Sequence, residues 1–249
     1  MIKQKGCYKV GSITILNTTT KYPITTIGQR AGVCYGSNTT DSHSNLTRGI
    51  DCLKSQHGRP LEFVNIEMIL DGYSARVIRE WYTHIGGSPT RLQSSTRYID
   101  YSDFKYVVPP SIMNNDNAIK MFEDTMNKIK ETCSNLNDMG IPKEDIAMAL
   151  PLGMETRVVD KRNLRNLIDM SHQRMCTRAY WEFRQLFRDI LNALSSYSEE
   201  WKFIVETEMK PKCAFLGHCP ERNSCSDQFA TKGDDLNVAD MAYSDGGDI

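Results

Sequence analysis

Two short stretches alternate apolar and polar residues, and each runs directly into a segment of helical period. A chain written this way must pack sheet against helix. In "EFVNIEMIL" (62–70), Val64, Ile66, Met68 and Leu70 fall on one side and Asn65 and Glu67 on the other, which predicts a half-buried strand ended by Asp71-Gly72. "YSARVIREWYT" (73–83) follows with Tyr73, Val77 and Trp81 one helical turn apart. Later a strand-like "METRVVD" precedes "RNLRNLIDMSHQ" (162–173), with Leu164, Leu167 and Ile168 on one helical face and Arg162, Arg165 and Asp169 on another. Such a charged face is expected to be a salt-bridged, solvated one.

Other segments extend this reading. Ile119, Phe122, Met126, Ile129, Cys133 and Leu136 recur at spacings of three and four, predicting a core helix over about 114–138 with an Asn/Asp start and Gly140 as its stop. "PKEDIAMAL" reads as a short helix, and Phe183, Leu186, Phe187, Ile190 and Leu194 predict one more. The N-terminal third shows no such order and reads as irregular. No internal repeat is visible. From Asp227 the tail is acidic with scattered apolar residues, so the expected organisation is one unit over 1–226 and a disordered tail over 227–249.

With 249 residues, 40% hydrophobic and 24% charged, the chain can bury a sizeable core. Its formal charge of -1 supplies no general field for nucleic acid or an anionic membrane, so an anion must be held by a local cluster. Neither a signal-peptide core in "MIKQKGCYKVGSITIL" nor a membrane-length apolar run is present in the sequence, and the expected location is cytoplasmic. There the eight cysteines are expected as reduced thiols.

Two clusters carry chemistry. "HIGGSPTRLQSSTRYID" (84–100) holds Gly86, Gly87, Ser88, Ser94, Ser95, Arg91 and Arg97, the groups that bind phosphate: close backbone amides, small hydroxyl donors and guanidinium forks. It lacks the Gly-Lys-Ser/Thr of a P-loop, and a plain surface turn ending in a short strand "TRYIDY" reads equally well. In the second cluster Asn163, Arg165, Asp169, His172 and Arg174 crowd one segment, Arg174 at the passage from one helix to the next.

Together these clusters resemble the flavin-dependent thymidylate synthase family. "QSSTRY" (93–98) preceded by His84 is similar to its nucleotide loop. Asn163, Arg165, Arg174, Ala179, Trp181 and Glu182 match its later Asn-x-Arg and Arg-x-x-x-His-Ala-x-Trp-Glu run. "RAGVCY" (30–35), "HGRPLEF" (57–63) and "ALPLGMETR" (149–157) resemble three more of its segments. The departures are Thr83-His84-Ile85 where the family has Arg-His-Arg, two extra residues before Arg97, Ala147 for an arginine and Arg178 for a histidine.

The resemblance implies an α+β fold, a curved, mostly antiparallel sheet packed with long helices, as in thymidylate synthase-complementing proteins. It also implies synthesis of dTMP from dUMP, with methylenetetrahydrofolate as carbon donor and FAD recharged by NADPH, in a homotetramer whose sites are shared between subunits. Arg174 is implied as the catalytic residue, favouring negative charge on the uracil ring. Glu80, Arg91, Gln93, Ser94, Ser95, Thr96, Arg97 and Arg174 are implied to bind dUMP. His57, Thr83, His84, Ile85, Gln93, Asn163, Arg165 and Asp169 are implied to contact FAD. Trp181 and Glu182 are read as structural.

Two alternatives stay open: a nucleotide-binding relative without flavin chemistry, and a zinc module built on Cys213, Cys219, Cys225 and His218. The second lacks any Cys-x-x-Cys pair, so no metal is assigned and a loosely packed, reduced extension is expected. Nucleic acid and membrane are not expected partners.

Overall fold

A computed structural model describes residues 10–225. The chain begins with β1 (Ser12–Ile15), α1 (Pro23–Cys34), α2 (Ser42–Lys54), α3 (Gly58–Leu61) and β2 (Asn65–Ser74). The middle holds α4 (Ala75–Trp81), β3 (Thr90–Gln93), α5 (Pro110–Met113), α6 (Asp116–Asp138) and α7 (Lys143–Ile146). The remainder is β4 (Glu155–Asn163), α8 (Leu164–Arg174), α9 (Trp181–Tyr197), α10 (Glu199–Thr207) and α11 (Lys212–Leu216). Among the described residues the strands form one antiparallel sheet in the order β1-β2-β4-β3, with helices packed on it. This is the expected α+β architecture. No helix among the described residues is long and apolar enough to cross a membrane.

The alternation in β2 buries Ile66, Met68 and Leu70 completely, as its pattern requires. Asp71-Gly72 does not end the strand, however. The register against β4 slips between Asp71 and Tyr73, Gly72 takes φ +76°, and pairing resumes to Ser74. A glycine inside a strand marks a bulge here, not a stop. Tyr73 therefore belongs to β2, and Ser74 caps α4 by accepting a hydrogen bond from the Val77 amide. Along α9, Phe183, Leu186, Phe187, Ile190 and Leu194 are fully buried, each contributing about 1.5–3 kcal/mol through lost apolar surface.

Three expectations need correction. The N-terminal third is ordered: α1 and α2 pack so closely that a methyl at Gly28 would collide with the Asn45 backbone, and one at Gly49 with that of Ile24. Glycines make that contact, beside a stripe of Ile24, Ile27 and Ala31 in α1 that faces the core. α6 forms as expected, with Asn115 as its cap and Gly140 after its end. Its stripe faces a second, smaller core, where Met126 joins Phe104 and Met154 with Phe122 and Ile129 against them, while Met121 on the opposite face is exposed. The strand expected in "TRYIDY" lies earlier, at Thr90–Gln93, and Ser95 starts a turn that accepts the Tyr98 and Ile99 amides. Arg162 belongs to β4 and not to the solvated helical face: Thr156, Val158, Asp160 and Arg162 alternate inward, and all four are buried. The tail from Asp227 lies outside the described residues.

Candidate active site

α4 ends at Trp81, and the next three residues bring His84 against the last residue of α8. The Arg174 Nε–H donates to His84 Nε2 at 2.8 Å. Both groups rest on Phe183 of α9, the guanidinium carbon 4.8 Å from the ring centre and the imidazole edge-on at 5.9 Å. Glu80 stands on the other side, its carboxylate 3.8 Å from Arg174 Nη1. Burial first, then the charges of Arg174 and Arg162, lower His84 to about 4, so at neutral pH its ring is uncharged. A neutral ring with its proton on Nδ1 offers Nε2 as the acceptor that Arg174 needs. Arg174 is thereby fixed through Nε while its side chain stays 26% exposed. Its terminal edge can meet a planar, anionic or carbonyl-bearing ligand.

After His84 the chain makes a tight turn, with Gly87 at φ +71° and Ser88 at φ +53°. A Cβ at Gly87 would run into the Asn163 amide, and one at Gly86 would approach Asn166 Nδ2 to 2.9 Å. Asn163 itself caps α8, accepting the Asn166 amide at 2.9 Å. Thr83 and Ile85 flank His84 as exposed residues, the Thr83 hydroxyl donating to the Glu80 carbonyl.

A second group surrounds Gly58. Arg165 donates to Glu62 at 2.7 Å, and Arg59 reaches the same carboxylate at 2.9 Å. The Arg165 hydrogen bond holds Glu62 below its usual value. His57 is exposed at the start of α3 and lines a hollow of about 460 Å³ with Arg30, Cys34, Tyr35, Arg59 and Phe63. Asp169 is exposed one turn beyond Arg165.

The third group lies along β3 and beyond. Arg91 folds back, donating to the Tyr82 carbonyl at 3.0 Å with its guanidinium 4.4 Å over the Tyr82 ring. Gln93 donates to Thr156 Oγ1 at 3.1 Å, and the Ser94 amide to the Arg157 carbonyl. Ser95 Oγ accepts the Arg97 amide, Thr96 is half-buried, and the exposed Arg97 rests on Tyr98. Because β3 runs antiparallel to β4, Ser94 sits six residues (163 − 157) from Asn163, roughly 20 Å of strand. No hydrogen bond or ion pair among the described residues joins the Ser95–Arg97 turn to Arg174.

Several residues at the site escape a reading of local pattern. Asp160, Arg162, Trp81, Asn166 and Phe183 form its floor. Continuing the two-residue alternation of β4 through position 162 is the signal that places the first two inward.

Past α9, α11 leans on α8 through Phe215, whose ring is 4.8 Å from that of His172. Arg178 binds Glu221 and the Asn223 carbonyl, and Cys219 is buried. This extension is packed more closely than its composition suggests. Among the described residues no three metal-capable side chains come together, so Cys213, Cys219, Cys225 and His218 are not gathered as a set.

A family model described as thymidylate synthase complementing protein matches residues 15–197. The chain belongs to this thymidylate synthase complementing family. Its relatives include proteins named flavin-dependent thymidylate synthase. That of Nitratidesulfovibrio vulgaris is 29% identical over 184 residues, 68% of this chain and 70% of that one. The Geobacter sulfurreducens protein is 28% identical over 208 residues, covering 80% and 87%, and the Pyrococcus furiosus protein 26% over 222, covering 85% and 90%. The crystal structure of flavin-dependent thymidylate synthase from Helicobacter pylori, complexed with FAD and dUMP, shares the fold with a TM-score of 0.63 at 16% identity. That likeness covers 80% of this chain and all of the other. All three groups of residues described above lie within the matched span, whereas α10, α11 and the cysteine-containing extension lie beyond it.

Proposed function

We propose that this protein is a flavin-dependent thymidylate synthase, a cytoplasmic homotetramer that converts dUMP to dTMP with methylenetetrahydrofolate as carbon donor and FAD recharged by NADPH. The observation that carries this reading is the mounting of Arg174: fixed through Nε by a neutral His84, seated on Phe183, and partly exposed at its terminal edge beside Glu80. A catalyst that must stabilise negative charge on a uracil ring needs a guanidinium held in one orientation before the substrate arrives.

The residues suit a flavin. Tyr35 and Phe63 expose apolar faces around the hollow beside His57, with Arg30 and Arg59 near them for phosphates. The glycines after His84 let the turn's backbone pack directly against Asn163 and Asn166. His57, Thr83, His84, Ile85, Gln93, Asn163, Arg165 and Asp169 are the residues proposed to hold FAD, which when bound supplies the reducing electrons. Thr83 and Ile85 bring no charge where the family has arginines. Arg91, bound at Tyr82 one residue before Thr83, is the nearest compensating cation in the loop.

For dUMP, Gln93, Ser94, Ser95, Thr96 and Arg97 are assigned to phosphate and sugar, and Glu80, Arg91 and Arg174 to the base side. Among the described residues no hydrogen bond or ion pair joins the Ser95–Arg97 turn to Arg174. Their separation supports sites completed by neighbouring copies, and the exposed Met121 on α6 with Met139 just after it suits a subunit contact. Positive charge from Arg174 at the ring favours its ionised form and raises electron density at the carbon to be methylated.

The deciding experiment is the visible spectrum of the purified protein, followed by addition of reductant, dUMP and methylenetetrahydrofolate. Oxidised flavin should bleach and then recover as dTMP forms. A colourless protein that takes up no added FAD yet binds dUMP refutes the synthase and leaves the nucleotide-binding relative.

A further inference from the structure

Asp160 and Arg162, two apart on the inward face of β4, form an ion pair with both side chains fully buried. The contact is a two-pronged fork, Arg162 Nε to Oδ1 at 2.6 Å and Nη2 to Oδ2 at 2.7 Å. Stability alone does not account for it, because apolar residues of similar volume at such positions are commonly as good or better. What distinguishes this pair is where its remaining bonds go. Asp160 Oδ2 also accepts the Trp81 indole N–H at 2.9 Å, and Arg162 lies 4.0 Å over that ring. Arg162 Nη1 donates to Asn166 Oδ1 at 2.7 Å and also contacts the Met170 sulfur.

Both routes end at the candidate site. Trp81 is three residues before His84 and packs on Phe183 at 5.9 Å, the ring on which His84 and Arg174 rest. Asn166 lies under Gly86, in the turn that follows His84. We propose that Asp160 and Arg162 form a positioning pair, acting through Trp81 and Asn166 to set the orientation of His84 and, through it, of the Arg174 guanidinium. Neither residue touches a ligand in this arrangement. The charges acting on His84 are Arg174 from α8 and Arg162 from β4, with Glu80 of α4 beside Arg174, while α9 offers the apolar Phe183. The Arg162 cation helps keep the imidazole uncharged, which preserves Nε2 as an acceptor.

The effect on turnover rests on the synthase reading, but the arrangement of His84 does not, so the test measures both. In the full chain, two variants are compared with wild type: the double variant Asp160→Leu/Arg162→Met, and Arg162→Lys, which keeps the charge but loses the fork. The readouts are the pH titration of the His84 ring proton by NMR, assigned with His84→Gln, together with flavin content, melting temperature, kcat and KM for dUMP. In the double variant the His84 titration should rise above about 4 as the Arg162 charge is lost, while burial and Arg174 keep it below the ordinary 6.5, and kcat should fall about tenfold or more at unchanged flavin content. Arg162→Lys should leave the titration low and still lower kcat, with little change in KM. A folded double variant with unshifted His84 and kcat within about twofold of wild type overturns the proposal. If the double variant does not fold, full kcat in Arg162→Lys overturns it. Should the wild type prove inactive, the synthase reading fails, and an unshifted His84 in the double variant independently removes the positioning role.

Discussion

Glu182, at the first turn of α9, is 1% exposed and accepts two hydrogen bonds from Ser74, the amide at 2.7 Å and the hydroxyl at 2.6 Å. Ser74 in turn caps α4. One carboxylate therefore sits between the positive ends of two helices and locks α4, which carries Glu80 and leads to His84, against α9, which carries Phe183. In Glu182→Ala both Ser74 donors lose their acceptor in a site without water access. At about 1–3 kcal/mol for each of the two buried unsatisfied donors, the loss is about 2–6 kcal/mol. For a chain of this size that corresponds to a melting temperature lower by about 10 °C. Glu182→Gln keeps one oxygen for the Ser74 amide and should cost only about 1–2 kcal/mol. Burial, opposed by the Ser74 bonds, raises the carboxyl above its ordinary 4.5. Stability from this group is therefore fullest below 4.5 and is lost as pH rises through the folded value, so the wild-type lead over Gln should narrow toward neutrality. Urea midpoints of the three proteins at several pH values provide the assay. An Ala variant within about 1 kcal/mol of wild type, or a Gln variant as damaged as Ala, refutes the clamp.

Four further outcomes are expected. His84 sits at about 4 in the fold against 6.5 ordinarily, so its contribution is complete above 6.5 and lost as pH falls from there to about 4. Discounted for partial solvent screening, the loss is about 1–2 kcal/mol, and equal pH slopes for wild type and His84→Gln in urea titrations disprove it. Gly87→Ala places a Cβ at φ +71° against Asn163 and should cost about 1–3 kcal/mol, read as a lower melting temperature together with weaker FAD uptake. Arg174→Ala should abolish dTMP formation with flavin retained. Arg97→Ala should mainly weaken dUMP binding, and equal flavin loss in both variants contradicts that division of roles.

Local pattern was a good guide where burial followed a regular period and a poor one where it did not. β2, α8 and α9 were legible because their apolar residues repeat at two or at three-to-four positions, and each stripe faces the core. α6 was legible on the same ground, its stripe facing the smaller core around Phe104 and Met154. Local pattern missed α1 and α2, their apolar stripes being short and interrupted by the glycines at which the two helices meet. It read Gly72 as a stop, since a bulge and a turn use glycine for the same backbone freedom. At the site, the motif residues were visible as clusters along the chain, but their division into three groups was not. Antiparallel pairing of β3 with β4 carries the Ser95–Arg97 turn away from Asn163, whereas His84 returns to Arg174 across ninety positions of sequence.

The sequence by itself determined the strand and helix that precede the glycine loop, the long helices, the polar groups available for phosphate, and the family resemblance. These follow from residue type and spacing, which act through neighbours along the chain. Only the tertiary structure decided the state of each charge. Arg162 and Arg165 are three positions apart and chemically identical. One is sealed in the core and the other is half-exposed beside Glu62, because the strand turns the first inward and the helix turns the second outward. His84 is neutral for the same kind of reason: burial and two arginines distant in sequence act on it. Electrostatic energy depends on distance and dielectric in space, and both are set by packing that local spacing does not encode.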